Sequence, residues 1–372
     1  MIVINARFVT QQTRGVQRFA EQLCLELKEL RNDLVFVAPD DVLMERSATS
    51  LKVQRIGRHR GHLWEQLDLP LWLARHGSPP LVSLCNTAPL AYGNQIATHH
   101  DINYVRHPNS YSPLFRTSYR YLTPLLLKRI KALITVSEFS RGEIASHYRY
   151  PKERICVVPN AVDARFQPFA AQAYRSGTTP YLLAVSSPSA HKNFARMVAA
   201  FLRLDGLDDV ELRIVGDSNR VFSGSVYTPQ SSKRIRFLGR LSDEELVEAY
   251  QGAAAFVFPS LYEGFGIPPL EAQACGCPVI AARAASIPEV LRDSALYFDP
   301  LDVADIADCM KRILLDETLR ADLRRRGKLN VARFSWRASA GQVSRLIDRA
   351  FSTVGQAEGD KTPPFPLSPP ER

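Results

Sequence analysis

Short apolar runs rich in β-branched residues alternate with longer amphipathic stretches along most of this chain. Such runs, bounded by polar or turn residues, are typical of buried strands, and the stretches between them have the apolar spacing of helices. Strands that alternate with helices predict parallel sheets covered on both faces, which is an α/β fold. The predicted strands are Ile2–Asn5, Leu34–Ala38, Leu81–Cys85, Gln95–Asp101, Ala132–Ser137, Ile155–Asn160, Tyr181–Val185, Glu211–Gly216, Ile235–Gly239, Ala254–Ser260, Pro278–Ala282 and Ala295–Phe298.

The length of the chain predicts two domains, because 372 residues exceed what one hydrophobic core usually organises. A polar, turn-rich segment over residues 163–180 predicts the joint between them. We therefore expect one domain over residues 1–165 and a second over residues 175–335. A C-terminal helix over residues 336–353 is expected to pack back towards the first domain, and the proline-rich tail over residues 355–372 is expected to be disordered.

The positive charge of the chain is concentrated in its first half. The formal net charge is +9, and residues 1–165 hold 22 Lys and Arg against 14 Asp and Glu, whereas residues 166–372 hold 25 against 24. An excess of this kind indicates an anionic partner, such as a phosphorylated substrate, a lipid diphosphate or an anionic membrane surface. Nucleic acid is not expected, because the sequence has neither the aromatic and basic pattern of RNA-binding sheets nor zinc-finger spacing.

The cysteines and the absence of targeting segments indicate a cytoplasmic protein. Six cysteines are scattered without a CxxC pair, which is typical of buried free thiols in a reducing compartment. The N-terminal sequence MIVINARF lacks the features of a secretory signal, and no run of 18 apolar residues predicts a transmembrane helix.

Two carboxylates flank a turn in the stretch PSLYEGFGIPPLEAQACG, residues 259–276. Glu263 follows a predicted strand, and the carboxyl ends of parallel strands are where open α/β sheets bind ligands. Glu271 is predicted to lie in the first turn of the following helix. Ionised carboxylates only accept hydrogen bonds, so these two side chains suit the hydroxyl groups of a sugar or ribose. A surface loop followed by a capped helix remains the alternative.

The residues between the two glutamates favour an anion site. Gly264 and Gly266 permit a close approach of the backbone to a ligand, and the prolines at 268 and 269 suit a first helical turn, where a missing N–H is harmless. A helix that starts here directs free N–H groups and the positive end of its dipole at the loop. Hydroxyl acceptors on either side of a phosphate-binding turn describe a sugar joined through a diphosphate to a ribose.

Other candidate residues follow predicted strands in both halves. In VSSPSAHKNF, Lys192 is suited to a phosphate, and Asn193 is predicted to cap the next helix. Gly15 in TRGVQRFAEQL would allow a ligand to approach the backbone, and His100 in ATHHDIN could hydrogen-bond a sugar hydroxyl or assist proton transfer. An ordinary turn at Gly15, a structural histidine and a solvated loop lysine remain the alternatives.

Taken together, these motifs resemble the family-4 glycosyltransferases, which are retaining enzymes of the GT-B fold with two Rossmann-like domains facing a cleft. The second half is similar through HKN, VGD, the long run from FLGRLSDEELVEAY through SLYEGFGIPPLEAQACGCPVIAA to ASIPEV, and then YFDP and FSW. The first half is similar through RGVQRFAEQL, THHDIN, ITVSEFSRGEI and VVPNAVD. The likeness covers about Met1 to Phe351.

The resemblance implies a role for each candidate residue. The N-terminal domain would bind the acceptor and the C-terminal domain the nucleotide sugar. Glu271 would bind the ribose hydroxyls, Glu263 would face the donor hexose, and Lys192 would neutralise the leaving diphosphate. Gly15 would approach the phosphates across the cleft, and His100 would contact the donor sugar. Backbone N–H groups for the sugar and diphosphate would come from Gly264, Phe265, Gly266 and Ile267.

The sequence departs from the family pattern at one donor-binding position. Many members carry an arginine five residues before the lysine, where this chain has Ser187, so the diphosphate would depend more on Lys192, on N–H groups or on another arginine. The family generally lacks a DxD metal site and none occurs here, so neither a metal nor another cofactor is expected.

The motifs SxxxHKN and GVQR resemble those of polysaccharide and O-antigen mannosyltransferases. This resemblance implies a hexosyltransferase that moves mannose from GDP-mannose to a glycan or polyprenyl-diphosphate-linked acceptor in bacterial surface polysaccharide synthesis. A UDP-hexose donor, a sugar-nucleotide epimerase of the same fold and a non-catalytic sugar-nucleotide-binding module are the alternatives. A dinucleotide dehydrogenase is disfavoured because GxGxxG is absent.

One segment of the first half is suited to a membrane surface. The stretch His107–Ile134 mixes aromatic residues and leucines with five basic residues, which favours peripheral contact with an anionic membrane on its cytoplasmic face. An internal helix with a basic face is the alternative, and Pro124 argues against one continuous amphipathic helix. The basic residues are Arg116, Arg120, Lys128, Arg129 and Lys131.

Overall fold

The computed structural model describes residues 1–167, 179–185, 189–216 and 233–352. The chain divides into two compact units, each built from separate stretches of sequence. Among the described residues, unit 1 contains 1–102, 112–160 and 336–352, and unit 2 contains 103–111 and the described parts of 161–335. The predicted tail over residues 355–372 and part of the predicted joint lie outside the described residues.

A seven-stranded parallel sheet in the order β3-β2-β1-β4-β5-β6-β7 forms the centre of unit 1. Strands β1, β4, β5 and β6 are buried along their whole length, as expected for strands covered on both faces. The chain runs outwards from β1 to β3 and then crosses back to β4, so β1 and β4 flank a point where the strand order reverses. The strands are β1 Ile2–Asn5, β2 Leu34–Ala38, β3 Gln54–Arg55, β4 Leu81–Ser83, β5 Gln95–Thr98, β6 Ala132–Thr135 and β7 Ile155–Val157.

The helices of unit 1 cover this sheet. One helical stretch contains a π-helical turn, Trp64–Asp68, between two short α-helices. Pro124 lies inside the helix Pro113–Leu127 near its C-terminal end, and the stretch 107–134 as a whole is not one continuous helix. The α-helices are Gly15–Leu30, Glu45–Leu51, Gly61–Leu63, Leu69–Arg75, Pro113–Leu127, Glu138–Tyr148 and Trp336–Phe351.

The helix Trp336–Phe351 completes unit 1 from the far end of the sequence. Its amphipathic face packs on the helix Gly15–Leu30, where the rings of Phe19 and Trp336 meet at 6.2 Å. Arg31 Nη1 donates a hydrogen bond to Asp348 Oδ1 at 2.6 Å. Phe19 and Trp336 are both buried, so the core of unit 1 includes residues more than three hundred positions apart in the chain.

Unit 2 is built on a six-stranded parallel sheet in the order β10-β9-β8-β11-β12-β13. Its first strand, β8, lies between β9 and β11, so the strand order reverses between β8 and β11. The strands are β8 Tyr181–Val185, β9 Glu211–Val215, β10 Ile235–Gly239, β11 Ala255–Phe258, β12 Val279–Ala282 and β13 Leu296–Phe298.

The helices of unit 2 begin at well-defined signals. Ser242 and Glu245 form a reciprocal capping box at the start of the helix Asp243–Gly252, and Asp302 and Asp316 cap the two helices that follow β13. The α-helices are Asn103–Arg106, Phe194–Phe201, Asp243–Gly252, Ile267–Ala274, Ile287–Leu291, Val303–Leu315 and Glu317–Val331. Within the described ranges, every helix is too short or too polar to cross a bilayer.

Candidate functional site

The candidate site of unit 2 lies where the strand order of its sheet reverses. Strands β8 and β11 are parallel neighbours, so their carboxyl ends meet at one edge of the sheet. A crevice at such a point is where open α/β sheets bind ligands. The loop after β8 carries Lys192, and the loop after β11 carries Glu263.

A short 3-10 turn, Ala190–Lys192, places the lysine in this crevice. Asn193 follows with a left-handed backbone (φ 58°) and stands at the N-cap position of the helix Phe194–Phe201. Its side chain does not cap that helix, contrary to the prediction, but donates to the carbonyl oxygen of Pro300 at 2.7 Å. Arg196 Nη1 donates to Asn193 Oδ1 at 2.9 Å, so Asn193 anchors the loop after β8 to the loop after β13.

Lys192 and Glu263 form a direct ion pair, with 2.6 Å between Lys192 Nζ and Glu263 Oε1. Both side chains are mostly buried but reach solvent. Lys192 Nζ also lies 5.8 Å from the ring centroid of Phe258, the last residue of β11. A lysine ammonium has three N–H donors, and a carboxylate has two oxygens, so each partner keeps polar capacity for a ligand.

The loop that carries Glu263 is fixed by a buried serine. Ser286 Oγ lies 2.9 Å from the carbonyl oxygen of Glu263 and 3.2 Å from that of Phe265. Gly266 adopts φ 90°, a conformation that favours glycine, and a methyl group there would be a tight contact 3.3 Å from Phe258 Cε1. The helix Ile267–Ala274 then begins with prolines in its first turn, as predicted.

Glu271 is buried, and it lies beyond the first turn of the helix, where the sequence had placed it. The helix begins at Ile267, and its first turn contains no acidic residue, so the prediction that Glu271 lies in the first turn was wrong. Tyr250 Oη donates to Glu271 Oε2 at 3.4 Å. Burial, reinforced by the charge of Glu271, raises the pKa of Tyr250 well above its usual value, so the phenol stays a donor to this carboxylate.

A histidine that sequence reasoning did not single out lies between these groups. His191 is buried, and its backbone carbonyl accepts a hydrogen bond from Leu261 N at 2.7 Å, which joins the loops after β8 and β11. Its ring is held by the 103–111 segment of unit 2: Asn103 Nδ2 lies 3.1 Å from Nε2, and Ser110 Oγ lies 3.1 Å from Nδ1. An amide nitrogen only donates, so Nε2 accepts and Nδ1–H donates to Ser110.

The environment keeps this imidazole neutral. Burial, followed by the adjacent charge of Lys192, lowers the pKa of His191 to about 4. The ring of His107 lies 5.8 Å from that of His191 and 5.7 Å from that of Tyr262. The motif HKN carried the signal for His191, but its partners are 88 and 81 positions away and no local pattern links them.

The remaining candidates are distributed over unit 1 and outside the described residues. His100 is buried in unit 1, where its backbone N–H donates to Asn86 Oδ1 at 2.9 Å and burial lowers its pKa to about 4. Gly15 is the first residue of the helix Gly15–Leu30, and a methyl group there would meet no atom within 4 Å. Ser187 lies outside the described residues. The donor contacts expected of these three residues stay predictions.

Two family models match successive parts of the chain. "Glycosyltransferase Family 4" matches residues 13–166, and "Glycosyl transferases group 1" matches residues 167–330. A curated relative, the O-antigen chain mannosyltransferase RfbU of Salmonella typhimurium, is 33% identical over 253 residues, which are 65% of this chain and 68% of that protein. The chain belongs to this glycosyltransferase family.

Other curated relatives of this glycosyltransferase carry related names. The O-antigen chain mannosyltransferase B of Escherichia coli is 32% identical over 65% of this chain and 66% of that protein. The serotype-specific mannosyltransferase WbdA of Escherichia coli is 28% identical over 62% of this chain. The match spans about two thirds of the first of these relatives and 31% of WbdA.

Solved structures show that the glycosyltransferase has the GT-B fold. A sucrose-phosphate synthase from Thermosynechococcus elongatus matches with a TM-score of 0.73 and 19% identity, covering 94% of this chain and 98% of that chain. WaaG, a glycosyltransferase involved in lipopolysaccharide biosynthesis, matches with a TM-score of 0.69 and 16% identity, covering 95% and 100%. Anabaena HepE in complex with UDP and glucose matches with a TM-score of 0.69 and 17% identity, covering 94% and 99%.

Proposed function

We propose that this glycosyltransferase moves mannose from GDP-mannose to a glycan or a polyprenyl-diphosphate-linked acceptor, with retention of anomeric configuration, in surface polysaccharide synthesis. The observation that carries the proposal is the Lys192–Glu263 pair at the reversal point of the unit 2 sheet, with Glu271 on the next helix. The choice of mannose is supported by the names of the relatives, which are mannosyltransferases.

Each part of the donor finds a suitable partner in unit 2. The two remaining N–H donors of Lys192, together with the backbone N–H groups from Gly264 to Ile267, would receive the diphosphate. The free oxygen of Glu263 would accept from a hexose hydroxyl. Glu271, held by Tyr250, would accept from the ribose hydroxyls.

The chemistry that follows is a substitution at the anomeric carbon. The bond between that carbon and the phosphate oxygen breaks, and the acceptor oxygen attacks on the same face. The acceptor proton passes to the departing phosphate oxygen, so no side chain has to act as a nucleophile. Negative charge grows on the diphosphate as the bond breaks. A preorganised ammonium and N–H groups interact with this charge, so they stabilise the transition state more than the ground state. Lys192 supplies this positive charge, so we expect turnover without an added metal.

The location of the reaction follows from the proposed acceptor. A polyprenyl-linked glycan resides in a membrane, so the enzyme would work peripherally on the cytoplasmic face. The exposed basic residues of unit 1, among them Arg116, Arg120 and Lys128, would contact its anionic lipids.

A UDP-hexose is the second candidate donor. It is favoured by Anabaena HepE, which shares the fold and was solved with UDP and glucose. Both donors contain a diphosphate and a ribose, so the contacts expected of Lys192 and Glu271 do not distinguish between them. A sugar-nucleotide epimerase would use the same donor but release a free sugar product without an acceptor.

Donor-dependent thermal stability tests the proposal. GDP-mannose at about one hundred times its Kd should stabilise the protein by roughly 2.7 kcal/mol, which raises Tm by several °C. Equimolar UDP-glucose and GDP-glucose should raise it less. Glu271→Gln should lose most of the shift, whereas Glu244→Gln, an exposed control on the helix Asp243–Gly252, should keep it.

The reaction product separates the remaining alternatives. NMR of the product formed from GDP-mannose and a lipid-linked acceptor should show the anomeric configuration of the donor. A larger Tm shift with UDP-glucose would move the proposal to the UDP-hexose donor, and free sugar released in the absence of acceptor would favour an epimerase.

A further inference from the structure

Unit 1 contains a cavity of about 320 Å³ beside its own sheet reversal point. It is lined by residues that follow the carboxyl end of β4, including Asn86 and Thr87, and by the helix Pro113–Leu127. The π-helical turn Trp64–Asp68 contributes Gln66. π-Helical turns are rare and occur frequently at functional sites, and the reversal point between β1 and β4 is a favoured ligand position.

Three polar side chains that line the cavity are already engaged within the protein. Gln66 Nε2 donates to the carbonyl of Ala88 at 3.0 Å, and Gln66 Oε1 accepts from Leu90 N at 2.9 Å. Asn86 Oδ1 accepts from His100 N at 2.9 Å. These hydrogen bonds use both polar atoms of Gln66 and the amide oxygen of Asn86, and they hold this part of the walls in place.

The third of them, Thr87, connects the cavity to a buried charge network. Arg7 Nη2 donates to Thr87 Oγ1 at 2.8 Å, and Arg7 Nε donates to Glu65 Oε1 at 3.2 Å. Burial alone would raise the pKa of Glu65, but hydrogen bonds from His62, Thr87 and Asn5 and the charge of Arg7 lower it overall. The carboxylate therefore stays ionised, and the network makes this wall rigid.

The rest of the lining includes the polar residues His62, Ser118, Tyr119 and Thr123, but most of the wall surface is hydrocarbon. Leu90, Phe115, Leu122 and Leu126 supply apolar surface, and Leu122 is still 41% exposed, so it forms part of the rim. A cavity whose walls are mostly apolar, with several of its polar groups already hydrogen-bonded within the protein, binds a hydrocarbon chain better than a polyol, because an unmatched hydroxyl would lose its hydrogen bonds to water.

The surface around the rim combines exposed apolar residues with positive charge. These leucines lie on the two helical segments that line the cavity, and exposed arginines lie on or directly before the same segments. The leucines are Leu63, Leu67, Leu114 and Leu125, and the arginines are Arg58, Arg60, Arg116 and Arg120. An amphiphile with a hydrocarbon tail and an anionic head matches both features.

We propose that this cavity binds the hydrocarbon chain of the lipid carrier on the acceptor, with the carrier diphosphate on the neighbouring arginines. The proposal rests on the proposed function, because that function supplies a polyprenyl diphosphate. A cavity of this volume lies at the low end of roughly 300–1,000 Å³ small-ligand sites, so it would take the first isoprene units of the chain rather than all of it. The site would hold the acceptor by its carrier and leave the glycan free.

Calorimetric binding of farnesyl diphosphate, a short water-soluble polyprenyl diphosphate, tests the assignment. The full-length protein should be saturated with GDP and, in a parallel experiment, with UDP, so that the probe diphosphate does not enter the donor site whichever base that site takes. Farnesyl diphosphate should bind at least about tenfold more tightly than inorganic diphosphate, because isoprene units add buried apolar area. Leu122→Glu should reduce this affinity at least tenfold, whereas Leu30→Glu should not, since it places the same charge at a similarly exposed leucine of unit 1 outside the lining.

A second variant and a second probe complete the test. Ser118→Trp fills the cavity without adding charge and should also abolish the preference for farnesyl diphosphate. Equal affinity for farnesyl and inorganic diphosphate, or equal losses in Leu122→Glu and Leu30→Glu, would overturn the proposal. Tighter binding of dihexanoyl-phosphatidylglycerol than of farnesyl diphosphate would assign the cavity to membrane lipid instead. The assay involves no sugar donor, so an error in the donor leaves its result unchanged.

Discussion

Lys192 and Glu263 keep each other in place in the unit 2 crevice. The 2.6 Å contact sets the position of the ammonium, and the loops that carry the two residues are joined by the hydrogen bond from Leu261 N to His191 O. A lysine fixed in this way does not have to be ordered when charge develops on a leaving diphosphate, which is the condition for electrostatic catalysis. In the proposed reaction, the contribution of each residue would therefore depend on the other.

Substitution of the pair should show this dependence. Lys192→Met and Glu263→Gln should each lower kcat by about a hundredfold or more, on the scale of losing one preorganised charge contact. The double variant should lose less than the product of the two, because both changes remove the same contact. Steady-state rates with circular dichroism as a check of folding measure this, and Lys311→Met is an exposed control in unit 2. Fully multiplicative losses would mean that the residues act independently.

At the level of elements, the 103–111 segment is a strap that holds a neutral histidine. Asn103 and Ser110 engage the two ring nitrogens of His191, and the ring of His107 lies beside it. A protonated ring would lose the acceptor at Nε2 that Asn103 uses and would place a charge beside Lys192. The strap therefore depends on the protonation state of a single side chain.

The stability of this arrangement should fall at acidic pH. The pKa of His191 is about 4 in the folded protein, while an unfolded histidine titrates near 6.5, so the unfolded state binds the proton first as pH falls. The resulting loss should be about 2 kcal/mol between pH 7 and pH 5, or roughly 4–8 °C in Tm. Between pH 7 and pH 5, the free energy of unfolding of His191→Asn should fall less than that of the wild type, by about 2 kcal/mol. The variant His76→Asn, at an exposed position, should behave as wild type. Identical pH profiles for His191→Asn and wild type would contradict the assignment.

Over the whole molecule, neither unit is a continuous stretch of sequence. Unit 2 takes residues 103–111 from within the first half, and unit 1 takes the helix Trp336–Phe351 from the end of the chain. The final helix buries Val343, Leu346 and Ile347, which are almost fully inaccessible. Unit 1 is therefore complete only when the helix at residues 336–351 is present.

Truncation of one side chain on that helix tests its contribution. Leu346→Ala should destabilise unit 1 by about 2–5 kcal/mol, because it opens a cavity where the residue is only 2% exposed. Hydrogen exchange of the backbone amides should then become faster in strands β1 to β7 and should change less in strands β8 to β13. Arg345→Ala, an exposed neighbour, should change stability by no more than roughly 0.5 kcal/mol. No change in exchange for Leu346→Ala would show that the helix is dispensable.

The sequence by itself determined the strands and the loops that carry Lys192 and Glu263, because a buried strand and the glycines and prolines of a turn are recognised from a few neighbouring residues. It missed β3, Gln54–Arg55, which is exposed and has no apolar pattern, and it placed Glu271 one turn too early. Only the tertiary structure decided that Lys192 contacts Glu263, that a strap holds His191 and that unit 1 contains an apolar-walled cavity. These features depend on strand order and on packing between residues far apart in the chain, which no local pattern encodes.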